Sequence, residues 1–230
     1  MARRRDPTVV DGALDSLLTR RVAATASTWL AAARSAASDR ANVVEAFALA
    51  TRRLGKTTLA LTGEETTALA AVGITWPIGG WGVDELGRVT LLSAASHALN
   101  AEAFQALVAE CYASGDNRER QAVLKAVPLL PAPERFLEIA VDACRTSIQP
   151  IFEAIACENP YPARYFPELN FNQMVLKTVF IGVALERIVD LDTRLAPDLA
   201  RMGADYASER RAAGRPVPSD LSRITKGVLA

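Results

Sequence analysis

Seven polar side chains around one proline-rich turn have the types needed to hold or transform a polar ligand: Glu153, Asn159, Tyr161, Arg164, Tyr165, Asn172 and Lys177. Glu153 is the lone polar residue of Ile151-Phe152-Glu153-Ala154-Ile155-Ala156-Cys157. A carboxylate in such a run is either solvated or paired, and Arg145, Arg164 and Lys177 supply the counter-charges. In a closed pocket Glu153 would serve as acid or base while Lys177 or Arg164 fixes an anion. On a helical wheel Asn172 falls among Val175, Leu176 and Val179, whereas Asn170, Gln173 and Lys177 gather on the narrow polar side. A structural reading stands beside the functional one. Prolines at 160, 162 and 167 remove backbone donors and leave carbonyls free, so Asn159 and Asn172 could instead satisfy the backbone of the turn.

Other segments carry weaker chemistry. Ala50-Thr51-Arg52-Arg53-Leu54-Gly55-Lys56-Thr57 fits a loose phosphate-loop pattern, but an amphipathic helix precedes it where a strand is required, which favours a plain helix end at Gly55. His97 is the sole histidine, so a His-rich zinc site and a histidine dyad are excluded, and no nucleophile-elbow sequence accompanies it to build a triad. Cys111, Cys144 and Cys157 are widely spaced in apolar helical patterns and read as reduced core residues. Asp190, Asp192, Asp198 and Asp205 match no calcium loop. No cofactor and no metal site is expected.

The chain balances 26 basic against 26 acidic residues with the signs interspersed, so no global field attracts nucleic acid or an anionic membrane. Arg3-Arg4-Arg5 reads as a frayed, solvated terminus and lacks the apolar stretch that a secretion signal needs. With no run approaching the length of a membrane span, no membrane insertion and a cytoplasmic location are expected.

Positioning these side chains falls to helices. Half of the residues are hydrophobic, Ala dominates them and only 6% are aromatic, which favours close helix packing over sheets. Residues 8–37, rich in Ala, Leu and Arg with no proline after Pro7, read as one helix, and Asp39 caps a second that runs to about Arg53 before Gly55 stops it, making a hairpin. Gly73-Ile74-Thr75-Trp76-Pro77-Ile78-Gly79-Gly80-Trp81-Gly82 is a loop whose tryptophans should pack down. Helices then start at Asp84, at the cap Asn100, at the capping box Asp116-Asn117-Arg118-Glu119 and after Pro133, the last running to Ile148. The expected fold is all-α: stacked antiparallel helical hairpins, either HEAT-like or an irregular α-α bundle. Residues 1–72 form the N-terminal helical region, 73–82 the connecting loop, and 83–230 a hairpin domain with an Asn-Pro-Tyr-Pro elbow, together one continuous unit.

Glu158-Asn159-Pro160-Tyr161-Pro162-Ala163-Arg164-Tyr165-Phe166, followed by Phe171-Asn172-Gln173-Met174-Val175-Leu176-Lys177, resembles the signature of the EboA family. Gln121-Ala122-Val123-Leu124-Lys125-Ala126, Pro128-Leu129-Leu130, Asp142-Ala143-Cys144-Arg145, Asp205-Tyr206 and Glu209-Arg210 extend the likeness across residues 100–220. Phe171 and Ser222 stand where the family pattern favours tryptophan. The resemblance implies a bacterial gene cluster with cyclase-like, hydrolase-like, isomerase-like and prenyltransferase-like members, linked to secondary metabolism or precursor export. It implies partners among that cluster's proteins or metabolites and carries over no catalytic residue. An accessory helical scaffold or binding protein is the expected role. The alternative is an enzyme acting on a polyhydroxylated or phosphorylated cyclic intermediate at the elbow.

Overall fold

Alanine-rich, proline-punctuated segments fold here into helices and little else. The structure, a computed structural model, describes residues 6–225, so Arg3-Arg4-Arg5 lies outside the described residues. Thirteen α-helices and three short 3-10 turns make up the described fold, with no strand beyond a single antiparallel bridge between Thr58 and Gly82. No described helix is long and apolar enough to cross a membrane.

The N-terminal half is built from α1 (Pro7–Thr19), α2 (Ala24–Ser35), α3 (Arg40–Leu54), α4 (Gly63–Ala71) and α5 (Val83–Ala98). The long helix expected over 8–37 is two helices. At the break between them Arg21 leaves the helix, and its guanidinium donates to the Leu59 carbonyl (2.7 Å) and to both carboxylate oxygens of Glu65 (2.9 and 2.6 Å). Asp39 caps α3 through the Ala41 amide, and Gly55 ends it at a φ of 81°. The phosphate-loop-like segment is therefore the end of a helix.

The Gly/Trp-rich loop packs down. Ile74, Trp76, Ile78 and Trp81 are buried, and Leu59 and Ala60 donate backbone hydrogen bonds to Trp81 and Gly79. It delivers the chain into α5, which is the axis of the fold. Eleven of its 16 residues are buried, and α1, α2, α3 and α6 (Ala101–Ser114) pack around it, as does α7 (Asn117–Ala126). The caps read from sequence at Asn100 and Asp116 are both formed, the latter as a reciprocal capping box with Glu119.

Beyond α7 the stack continues through α8 (Leu137–Ala143), α9 (Gln149–Ala156), α10 (Tyr161–Tyr165), α11 (Glu168–Phe180), α12 (Pro197–Ala212) and α13 (Leu221–Thr225). The helix expected to reach Ile148 stops at Ala143. The first hairpin pairs helices of 14 and 10 residues, the second helices of 7 and 8, so the stack is an irregular helical bundle, not an even repeat. A connected set of buried apolar side chains runs from Val10 to Ile224. The sequence pattern of α11, apolar on all but a narrow polar side, suggests a buried helix, yet Leu169 and Phe180 are 61% and 71% exposed.

Candidate functional site

The elbow is held by its own side chains. Glu158 takes the left-handed conformation (φ 47°) that turns the chain out of α9. Asn159, buried, donates through Nδ2 to the Leu124 and Ala154 carbonyls (both 3.0 Å) and accepts the Tyr161 amide on Oδ1 (3.0 Å). One amide thus ties α7, α9 and α10 together. Tyr161 is fully buried; its hydroxyl donates to the Pro133 carbonyl (2.7 Å), and its ring packs 4.8 Å from Tyr165. Burial pushes the Tyr161 phenol well above its ordinary range. Arg164 is exposed and stacks on Trp76 with its guanidinium 5.5 Å from the ring. Asn172 is buried, and its Oδ1 meets no donor among the described residues.

Glu153 faces the other way, into a cleft of about 500 Å³. Its Oε2 accepts from Arg187 and its Oε1 from Gln149, each at 2.7 Å. Partial burial alone would raise its carboxyl, but these hydrogen bonds and the Arg187 charge outweigh that and lower it, so Glu153 is an ionised, committed carboxylate at neutral pH. Arg187 also forks onto Glu158, Nε to Oε1 (2.7 Å) and Nη2 to Oε2 (2.9 Å), while its carbonyl accepts the Glu158 amide. Lys125, Gln121 and Trp81 complete the polar part of the wall. Lys125 donates to Oε1 of the buried Glu85 (2.7 Å). Cys157 borders this cleft as well, but burial pushes its thiol up to about 12, so it is no nucleophile at neutral pH.

Lys177 lines a different cleft, of about 310 Å³, with Arg145, Asn170 and Gln173. Its ammonium donates to the Cys144 and Thr146 carbonyls (2.7 and 2.5 Å) and lies 4.8 Å over the Phe152 ring. Phe152, fully buried, precedes Glu153 on α9, so the helix and its packed side chains stand between the two clefts. Of the seven residues singled out in the sequence, Glu153 lines the larger cleft and Lys177 the smaller. Asn159 and Tyr161 bond backbone carbonyls, Arg164 and Tyr165 stack on aromatic rings, and Asn172 lines neither cleft. The convergence of Glu153 with Lys177 that acid-base catalysis at the elbow requires is absent from this geometry.

Sequence reasoning missed Arg187, Trp81, Gln121 and Lys125 as cleft residues. Gln121 and Lys125 are four apart on α7 and share a face, a signal that was present. Arg187 sits in the 3-10 turn Leu185–Arg187, where no periodicity marks it.

The wall bearing Gln121 and Lys125 is fixed to α5 by buried charge. Asp84, fully buried, accepts from Thr51 (2.6 Å), Arg88 (3.0 Å) and, through both oxygens, Arg118 (2.5 Å each). Burial would raise the Asp84 carboxyl, but the Arg118 and Thr51 hydrogen bonds and the two guanidinium charges hold it down at about 2. Elsewhere Asp11 accepts from both Ser93 (2.5 Å) and His97 (3.0 Å), so the serine addresses the acid and not the imidazole, and no nucleophilic relay is formed.

No curated protein matches the chain, and no solved structure does. A family model described as metabolite traffic protein EboA matches residues 10–226, taking in the N-terminal helices that the sequence motifs alone left out. The chain belongs to the EboA family.

Proposed function

We propose that this protein is a non-catalytic binding component of an ebo-type secondary-metabolite or precursor-export pathway, and that it holds a small polar metabolite in the larger cleft. The observation that carries this reading is the wall of that cleft: Glu153, Glu158, Arg187, Lys125 and Gln121 set around about 500 Å³. Small-molecule sites commonly occupy roughly 300–1,000 Å³ and use a few fixed polar groups. Its cations are already engaged, Lys125 by Glu85 and Arg187 by two carboxylates. Such a surface offers paired donors and acceptors with little net charge, which suits hydroxyl groups better than a phosphate. The exposed Leu169 and Phe180 on α11 supply apolar contact for a partner protein of the same cluster.

The test is purification of the full chain from cells expressing the cluster, followed by denaturing release and mass spectrometry of retained small molecules. A stoichiometric, neutral, hydroxyl-rich compound is expected. Protein that emerges empty from metabolite-replete cells and binds no cluster product refutes the reading.

A further inference from the structure

We propose that the smaller cleft, between α8 and α11, is a separate binding site for an oxyanion, a carboxylate or phosphate group on a small molecule. Its wall carries this, and it differs from that of the larger cleft in lacking carboxylates. Arg145 and Lys177 bring two cations into one recess of about 310 Å³, and none of the residues lining it is acidic. Among the described residues neither cation has a carboxylate within ion-pair distance. Like charges gathered without a counter-ion repel, and an anion placed between them relieves that repulsion.

The donor inventory points the same way. Lys177 carries three N–H groups and spends two on the Cys144 and Thr146 carbonyls, which fixes the ammonium in the cleft wall above Phe152 and leaves a third that takes no oxygen acceptor among the described residues. Arg145 is exposed, and among the described residues its guanidinium has no hydrogen-bond or ion-pair partner. Asn170, Gln173 and Lys177 follow one another at i, i+3 and i+7 along α11, so the two amides share the lysine's face. The side chains of Arg145, Lys177, Asn170 and Gln173 line the recess with donors and no carboxylate, and an oxyanion is the acceptor-rich group that satisfies them. Met174, buried, forms apolar floor under this polar rim. The larger cleft differs in kind, because each of its cations already faces a carboxylate. This site therefore does not rest on the reading given for the larger cleft.

The experiment is a calorimetric titration of the full-length protein with inorganic phosphate, and in parallel with acetate, at constant ionic strength. Saturable one-to-one binding of at least one of them is expected, weakened about tenfold by Lys177→Met and severalfold by Arg145→Gln. Whichever anion binds tighter identifies the head group of the ligand class. Arg201→Gln, on the exposed face of α12, should leave the affinity unchanged. Lys177→Met removes the partner of two carbonyls and could unfold the loop. Among the described residues the Arg145 side chain makes no hydrogen bond or ion pair, so Arg145→Gln decides the matter if the lysine variant fails to fold. Binding of neither anion overturns the proposal, as does wild-type affinity in Arg145→Gln or an equal loss in Arg201→Gln.

Discussion

At the scale of single residues, the elbow separates side chains that build the fold from those that face solvent-accessible space. Asn159 is of the first kind, because each of its polar atoms is spent on buried backbone. Asn159→Ala strands two carbonyls and an amide. An orphaned buried group costs about 1–3 kcal/mol, so a loss of about 2–4 kcal/mol in urea denaturation is expected. A change below about 1 kcal/mol would mean that water replaces the side chain without penalty. The sequence showed that an asparagine stood in a turn poor in donors, and that much was legible. Its partners were not, since Leu124 lies 35 residues away and nothing local encodes the meeting. Lys177 and Glu153 illustrate the converse. Their types marked them as functional candidates, but the side of α9 each would face depends on how Phe152 packs.

Helix starts were legible because caps are local: Asp39, Asn100 and Asp116 each bond amides two or three residues on. Helix ends whose polar groups find distant partners were hidden. Past the end of α1, Arg21 reaches Leu59 and Glu65, and past the end of α8, Lys177 binds the Cys144 and Thr146 carbonyls, the latter with no helical donor because residue 150 is proline. The junction of α3, α5 and α7 is likewise tertiary, and it responds to acid in a defined way. The Asp84 carboxyl is held at about 2, below the ordinary aspartate range near 4, so its ionised form stabilises the fold above pH ~4. That contribution is lost as pH falls from ~4 through ~2. Asp84→Asn removes Asp84's share of the dependence in this window, leaving that of Glu65, which Arg21 also holds at about 2, and deprives the buried Arg88 of its nearest charge. A loss of about 3–5 kcal/mol at neutral pH is expected, measured by denaturant unfolding across a pH series. Parallel stability curves for the two proteins between pH 4 and 2 would show that Asp84 does not carry the acid response.

For the whole molecule, an axis of buried helix, α5, carries a stack with two recesses, one between α8 and α11 and one where α7 and α9 meet the Gly/Trp-rich loop and Arg187. The all-helical class was plain from composition, and the family match now extends over residues 10–226. The larger recess could not be read, because it draws its wall from elements far apart in the chain: Trp81, Lys125, Glu153 and Arg187 span more than a hundred residues. If the larger recess holds the metabolite, filling it should abolish retention without disturbing the fold. Gln121, half-buried on α7, lines it and takes part in neither the Glu85 nor the Arg187 pairing. Gln121→Trp should therefore occlude the recess and leave its ion pairs intact. The most direct measurement compares the small molecules retained by wild-type and Gln121→Trp protein, purified in parallel from cluster-expressing cells and matched for thermal stability. A compound present at near-equal stoichiometry with wild type and depleted at least tenfold from the variant is the expected result. Equal retention by the two proteins would contradict binding in this cleft.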